Sequence, residues 1–114
     1  MSVVAPFPTG RDRRLIASFD RREWTRILDL YGRMVAAGHW RDYAIRMSAD
    51  SAVFAAFRRS AERPEIRIEK HPQLRLRQGA FALVGAHGQI LKRGQELPAV
   101  LAPLERRLLR LVGD

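Results

Sequence analysis

The spacing of apolar residues changes twice along the chain, and this limits the possible folds more than any other feature. Over 24–35 apolar residues recur every three or four positions, which is the period of a helix with one buried face. Over much of 43–93 they alternate with polar residues, as in a strand, and over 97–112 the helical period returns. This order predicts an α+β domain in which helices cover one face of an antiparallel sheet.

The first helix has clear signals at both of its ends. Asp20 is a suitable N-cap, and Glu23 follows three residues later, so the two residues can form a capping box. Gly38 suits the left-handed residue that ends many helices. The helix is therefore predicted over about 20–37.

The alternation predicts a meander of four to five antiparallel strands. The candidate segments are 43–48, 53–58, 65–69, 80–86 and 89–93. Leu74 and Leu76 also alternate with basic residues, and we expect them to point inward with the isoleucines of 65–69. His87-Gly88 suits a tight turn between the last two strands, because glycine accepts a positive φ angle.

The last segment is predicted to be helical although it contains two prolines. Pro98 suits a first helical turn, whereas Pro103 cannot enter a regular helix interior without a kink. The pattern fits either a short turn over 98–102 followed by a helix over 103–112, or one bent helix. In both cases we expect the C-terminal helix to pack on one face of the sheet.

The length and composition limit the domain organisation and the class of protein. The chain has 114 residues and no repeat, so we predict a flexible basic tail over 1–18 and a single α+β domain over 19–114. It has no cysteine, which excludes a disulfide framework and a thiolate metal site. No apolar run is long enough to cross a membrane, and the first residues lack a signal-peptide pattern. We therefore expect a cytoplasmic protein with no membrane partner.

The chain carries a net charge of +9, and most of it lies in two segments. Residues 1–22 hold +3 of this excess and residues 58–77 hold +4. A surplus of this size predicts an anionic partner, either nucleic acid or an acidic protein surface, and arginine suits both phosphate and carboxylate. If the apolar residues of the strands face inward, the candidate anion patch on the sheet consists of Arg58, Arg59, Arg67, Lys70, Arg75 and Arg77. The alternative is an ordinary solvated surface with cross-strand ion pairs.

Trp40, Arg41 and Tyr43 directly follow the first helix and have two interpretations. They can form a packed corner, because Trp and Tyr bury a large area where a helix turns into a strand. They can also form a contact surface for a partner, since Trp, Tyr and Arg are enriched at the centres of interfaces. The phase of Tyr43 with the following strand favours the packed corner.

The sequence contains no pattern typical of catalysis, cofactor binding or metal binding. Gly85-Ala86-His87-Gly88 has the letters of a nucleic-acid-binding GxxG loop, but the flanking strands favour a hairpin turn. The histidines lie too far apart in the sequence to form a local metal motif. We therefore expect a non-enzymatic binding domain with no cofactor. The alternative is a structural or adaptor protein that homodimerises through a sheet edge or through the Leu-rich C-terminal helix.

Several stretches of the chain are similar to a known protein family. The two longest are 30–38 (LYGRMVAAG) and 40–45 (WRDYAI), and shorter ones are 57–59, 67–70, 77–80 and 90–94. Over residues 19–101 the chain thus resembles a family of small alphaproteobacterial proteins that is described as a domain of unknown function. The resemblance implies a bacterial, cytoplasmic domain, and it assigns no catalytic or binding residue.

Overall fold

A computed structural model describes residues 16–59 and 63–112, which form an α+β domain. The elements are α1 (Arg21–Ala36), β1 (Asp42–Met47), β2 (Ala52–Phe57), β3 (Ile66–Lys70), a 3₁₀ helix (Pro72–Leu74), β4 (Phe81–Gly85), β5 (Ile90–Gly94) and α2 (Leu97–Val112). The strands pair in the order β1-β2-β3-β4-β5, and each neighbouring pair is antiparallel. The predicted fold class is confirmed, and each strand begins and ends within one residue of its prediction.

The capping box predicted for the first helix is present. The backbone N–H of Glu23 donates to Asp20 Oδ1, and the backbone N–H of Asp20 donates to Glu23 Oε1, both at 2.8 Å. The ring of Phe19 packs edge-on against Trp24, with centroids 5.1 Å apart, and closes the start of the helix from the other side. Beyond the C-cap, Gly38 adopts a φ of 77°, which a glycine tolerates without strain.

The core lies between the two helices and one face of the sheet, which we call the inner face. Phe54, Ile68 and Leu83 are paired directly across β2, β3 and β4 and form one buried row of the inner face. The helical residues buried against this face are Ile27, Leu30 and Met34 of α1 and Leu97, Val100, Leu101, Leu104 and Leu108 of α2. Both amphipathic patterns of the sequence therefore point at the same sheet face.

Strand β1 differs from the central strands because the helices cover it only in part. Its register with β2 places Tyr43, Ile45 and Met47 on the inner face. Their exposed fractions are nevertheless 45%, 43% and 48%. The other three residues of β1 are exposed as well.

The expectation that Leu74 and Leu76 continue the sheet is wrong. Leu74 ends the 3₁₀ helix, and Leu76 lies in the following turn with 92% of its surface exposed. Pro72 explains the difference, because a proline has no N–H for a strand ladder and its fixed φ suits the first turn of a helix. The carbonyl of Leu74 then accepts bonds from the N–H groups of Arg77, Gln78 and Gly79, which closes the turn.

The C-terminal segment is one helix that continues through Pro103. This excludes the alternative in which a separate helix begins at that residue. Pro98 lies in the first turn of α2, where its missing N–H costs nothing. Pro103 cannot donate to the carbonyl of Ala99, but Ala99 is exposed, so water can satisfy this acceptor.

The tail predicted over 1–18 lies outside the described residues except for its last three. Ala17 is buried, and its N–H donates to the carbonyl of Ser48 at 2.8 Å. The packed part of the chain therefore includes Ala17, two residues before the predicted start of the domain.

Gly79 provides a test of the connection between β3 and β4. It has a φ of 96°, and a Cβ at this position would lie 2.6 Å from the carbonyl carbon and oxygen of Gly94. We expect G79A to lower the free energy of unfolding by more than about 1 kcal/mol, because backbone strain and a backbone clash act together. Urea denaturation measures this change.

The matched control is G32A, in the interior of α1, where no atom beyond the adjacent residues and the helix's own backbone lies within 4 Å of the added Cβ. We expect it to raise the free energy of unfolding by about 0.5–1 kcal/mol, since alanine is the better helix former. An unfolding midpoint of G79A equal to that of the wild-type protein would contradict the described connection.

Candidate functional site

The two ends of the sheet differ in the side chains that attach the helices to it. At one end, Lys70 of β3 donates to Glu23 in the first turn of α1, with Nζ 2.8 Å from Oε1. At the other end, Arg107 of α2 donates to Glu65, just before β3, with Nη2 3.0 Å from Oε2. We call these the Lys70 end and the Glu65 end. Both helices run from the Lys70 end towards the Glu65 end.

The carboxylate of Glu65 connects three parts of the fold at its end of the sheet. Trp40 Nε1 donates to Oε1 at 2.6 Å, and Arg107 donates to Oε2. His39 Nε2 lies 3.2 Å from the same Oε2, although it is not aligned for a hydrogen bond. The side chain of Glu65 is 18% exposed. One half-buried carboxylate thus joins the segment after α1, the second half of α2 and the start of β3.

Trp40 has the geometry of a packed corner. It is 1% exposed, and its ring stacks on Tyr31 with centroids 6.0 Å apart. Tyr43 meets the same Tyr31 edge-on at 5.0 Å but keeps 45% of its surface exposed. Arg41 is exposed, and its backbone N–H donates to the carbonyl of Phe57. The three residues of the predicted corner are therefore one core residue and two surface residues.

His39 is held in its neutral form by its surroundings. Burial lowers the pKa of His39, and this effect outweighs the nearby Glu65 carboxylate, which raises it. Arg107 and Arg58 lower the pKa of the imidazole further. At neutral pH the positive charge that faces Glu65 therefore belongs to Arg107.

Beside Glu65 lies an open cleft with a volume of about 440 Å³ and three arginines on its walls. Arg58 and Arg59 follow the end of β2, and Arg63 precedes β3; we call this set the arginine cleft. All three side chains are exposed, and within the described residues none of them forms an ion pair with a carboxylate. Arg63 Nη1 lies 3.3 Å from His87 Nδ1 in the β4–β5 turn.

Of the six residues predicted to form an anion patch, only Arg58 and Arg59 lie together in this cleft. Arg67 lies on the outer face of the sheet, where its Nε donates to Glu69 Oε2 at 2.9 Å. His71 lies 2.9 Å from the other oxygen of that carboxylate. Burial raises the pKa of Glu69, but the hydrogen bonds with His71 and Arg67 outweigh it and hold the pKa below its ordinary value. The positive charge of Arg67 is therefore partly neutralised by Glu69 on the same strand.

The other three predicted patch residues lie towards the Lys70 end. Lys70 points to the inner face, where it binds Glu23 and the carbonyl of Ser18. Arg75 and Arg77 lie in the turn between β3 and β4 rather than on a strand, which corrects their predicted position. The six candidate residues therefore do not form one basic sheet face, because they point to both faces of the sheet and lie at both of its ends.

Neither Arg63 nor Arg107 is among the six residues of the candidate anion patch. Arg63 belongs to the same basic stretch as Arg58 and Arg59, and that clustering is the signal by which it can be found. Arg107 has no such signal, since its partner Glu65 lies 42 residues earlier in the chain.

A second open groove, with a volume of about 1230 Å³, lies between the helices at the Lys70 end. Its charged side chains have both signs and partly neutralise each other. Arg26 lies 3.6 Å from Glu105 across the helices, and Arg33 lies 3.1 Å from Asp29 along α1. This groove therefore lacks the excess of arginine over carboxylate that distinguishes the arginine cleft.

Two other kinds of site are absent from residues 16–59 and 63–112. In these ranges no group of three or more histidine, aspartate or glutamate residues is placed to hold a metal ion. Nor does either helix of this part of the chain have the length and apolar character needed to span a membrane.

Comparison with known proteins assigns the chain to a family whose function is unknown. A family described as "Protein of unknown function (DUF2794)" matches residues 17–101, and the chain belongs to this family. No curated protein and no solved structure gives a match. The matched residues include α1, the whole sheet and the arginine cleft, whereas Arg107 follows them.

The contacts of Glu65 predict a measurable loss of stability when its carboxylate is removed. We expect E65A to lower the free energy of unfolding by about 1–3 kcal/mol, because the buried indole N–H of Trp40 and the Arg107 guanidinium lose their acceptor. Urea denaturation followed by tryptophan fluorescence measures the loss. The control is E105A, whose longer and more exposed pair with Arg26 is worth less than about 1 kcal/mol. Equal losses in the two variants would contradict the role given to Glu65.

The lowered pKa of His39 predicts the direction of a pH effect. The unfolded chain takes up a proton on this residue near pH 6.5, whereas the folded protein does so only at lower pH. The free energy of unfolding should therefore fall as the pH decreases from about 7 to about 5. Glu69 contributes below this range, since its unfolded carboxyl titrates near 4.5 and its folded pKa is lower still.

The variant H39N tests this assignment. We expect its free energy of unfolding to depend less on pH over the same range than that of the wild-type protein. H87N, which replaces an exposed histidine, should keep the wild-type dependence. If H39N and H87N give the same pH profile, the stability change does not come from His39.

Proposed function

We propose that this protein is a non-enzymatic binding domain that holds an anionic partner, in the first place a nucleic-acid backbone, at the arginine cleft. The observation that carries the proposal is the meeting of Arg58, Arg59 and Arg63 on the walls of one open cleft. Guanidinium groups bind phosphate oxygens in pairs of parallel hydrogen bonds, so three of them around one cleft suit a chain of phosphates.

The cleft keeps its positive charge although Glu65 is part of its wall. Both oxygens of this carboxylate already accept hydrogen bonds, one from Trp40 and one from Arg107. Arg107 also balances the charge of Glu65, so the carboxylate has little attraction left for the three arginines. As far as residues 16–59 and 63–112 are concerned, the cleft arginines are therefore available to an external anion.

The kind of contact follows from what surrounds the cleft. Its other lining residues are Pro64 and Ala86, and no aromatic ring is among them. Stacking on aromatic rings is the usual way to hold unpaired bases, so contacts to the phosphate backbone are favoured over the reading of bases. In this proposal the domain acts in the bacterial cytoplasm, as the resemblance of the sequence implies, and the second candidate partner is an acidic protein surface.

Fluorescence anisotropy with single- and double-stranded nucleic acids tests the proposal. Binding should be measurable at about 50 mM salt, and the logarithm of the binding constant should fall against the logarithm of salt by about one per phosphate contact. We expect the triple variant R58A/R59A/R63A to bind more weakly and to reduce this slope by about 2–3. No binding of any nucleic acid at low salt would contradict a nucleic-acid partner.

A charge-matched control separates the cleft from the overall charge. R21A/R22A/R75A also removes three exposed arginines, but these line the mixed-charge groove at the Lys70 end. We expect it to keep most of the wild-type affinity. Equal losses in the two triple variants would mean that net charge, rather than the cleft, binds the anion. Poly-glutamate is the probe for an acidic protein partner, and its binding in the absence of nucleic-acid binding would favour the second candidate.

A further inference from the structure

Strand β1 has an open edge that is unusually regular. It pairs with β2 over all six of its residues without a bulge, and within the described part of the chain its other side has no partner strand. The strand contains neither proline nor lysine, which commonly protect exposed edges. Such an edge can accept a further strand through its N–H and C=O groups. The N–H of Tyr43 donates to Asp42 Oδ1 at 2.8 Å, and a further strand must replace this local bond.

The inner face of the same strand is apolar and continuous with part of α1. Tyr43, Ile45 and Met47 are each nearly half exposed, and so are Leu28 and Val35 on the neighbouring helix. Tyr31 lies between Leu28 and Val35 on the same side of α1, and its ring contacts Tyr43. We call Leu28, Val35, Tyr43, Ile45 and Met47 the edge surface.

We propose that β1 pairs with β1 of a second copy of this chain, antiparallel and about a twofold axis at Ala44. The two five-stranded sheets then form one continuous ten-stranded sheet. An interface of this kind uses the same residues on both copies, so a strand that takes part in it must be complementary to itself. The sequence of β1 meets this condition.

The complementarity comes from the charges on the outer face of the strand. Asp42 and Arg46 lie two residues on either side of Ala44, and both point away from the helices. With the axis at Ala44, Asp42 of each copy lies directly opposite Arg46 of the other copy, which gives two cross-strand ion pairs of opposite charge. Within the described residues neither side chain has an ion-pair partner in the monomer.

Other registers lose this match. Moving the axis by one residue to Ile45 shifts the pairing by two, so that Arg46 lies opposite Ala44 and Asp42 lies beyond the paired region. On the inner face, the axis at Ala44 places Tyr43 opposite Ile45 of the second copy, so apolar side chains meet in both halves of the interface. Apolar side chains also meet with the axis at Ile45, so the two charges are what select the axis at Ala44.

The hydrogen-bond pattern agrees with the same register. The N–H of Ser48 donates to the carbonyl of Ser51 across the β1–β2 turn. Because alternate residues of an antiparallel strand bond to the same neighbour, the even-numbered residues of β1 bond to β2 and the odd-numbered ones face the open edge. Ala44 and its counterpart then form a pair without direct hydrogen bonds, in which the Cα atoms are about 4.5 Å apart.

The interface is independent of the arginine cleft. Since the two β1 strands are antiparallel, the clefts of the two copies lie at opposite ends of the ten-stranded sheet. Measurements of mass test the interface, whereas anion titrations test the cleft, so failure of one proposal does not imply failure of the other.

Sedimentation or light scattering of the full chain tests the proposal directly, with a dimer as the expected result. D42R places arginine opposite Arg46, and R46D places aspartate opposite Asp42; we expect each to weaken dimerisation by about 10-fold. The double variant D42R/R46D exchanges the charges and should restore the wild-type dissociation constant to within about 3-fold. D50R, which makes the same charge change in the exposed β1–β2 turn, should have no effect on the dimer.

Disulfide trapping tests the register, because the chain has no cysteine of its own. Under mild oxidation A44C should form a covalent dimer, since the expected Cα separation lies within the range that a disulfide spans. A99C, at an equally small exposed residue on α2, should not. A monomeric wild-type protein, or an A44C variant that is no faster to cross-link than A99C, would overturn the proposal.

Discussion

The carboxylate of Glu65 is the interaction on which one end of the structure depends. The hydrophobic effect drives the helices onto the sheet but has no direction, so the apolar core alone does not fix where each helix ends. Glu65 supplies that direction by holding Trp40 and Arg107, which belong to segments 25 and 42 residues away. The buried indole needs an acceptor, and a carboxylate that is balanced by an arginine and still partly solvated provides one at a moderate desolvation cost. At the opposite end, the bond between Lys70 and Glu23 has the same role.

This arrangement also determines the charge of the neighbouring cleft. A carboxylate at the start of β3 would ordinarily pair with the nearest arginines, which are those of the arginine cleft. Because Arg107 from the far end of the chain takes this role, the charges of Arg58, Arg59 and Arg63 are not neutralised by Glu65. A contact that stabilises the fold thus leaves a positive surface beside it. The proposed binding function depends on this division between one paired arginine and three exposed ones.

The features predicted correctly from the sequence are those that depend on neighbouring residues. The capping box at Asp20, the positive φ of Gly38 and the turn at His87-Gly88 all follow from local chemistry. At Leu74 two local signals disagree. The alternation of apolar residues predicted a strand, but Pro72 favours a helical turn, and the segment forms a 3₁₀ helix. The site was less predictable, because a count of charges cannot tell a free side chain from a paired one. Arg67 was assigned to the patch, yet its partner is Glu69 on the same strand, and the role of Arg107 depends on a contact that no local pattern indicates.

The exposure of β1 follows from the widths of helices and strands. A helix is about 10 Å across and strands lie about 4.8 Å apart, so two helices side by side cover about four strands. In this fold α2 packs on β4 and β5, and α1 packs its Trp24 and Tyr31 against Phe54 of β2, which leaves β1 at the uncovered margin. The sequence nevertheless gives β1 the same apolar alternation as the covered strands. Periodicity reports which side chains share a face, but the coverage of that face depends on the number of layers above it. A strand that is apolar on its inner face and only partly covered by the helices is the feature on which the proposed pairing with a second copy rests.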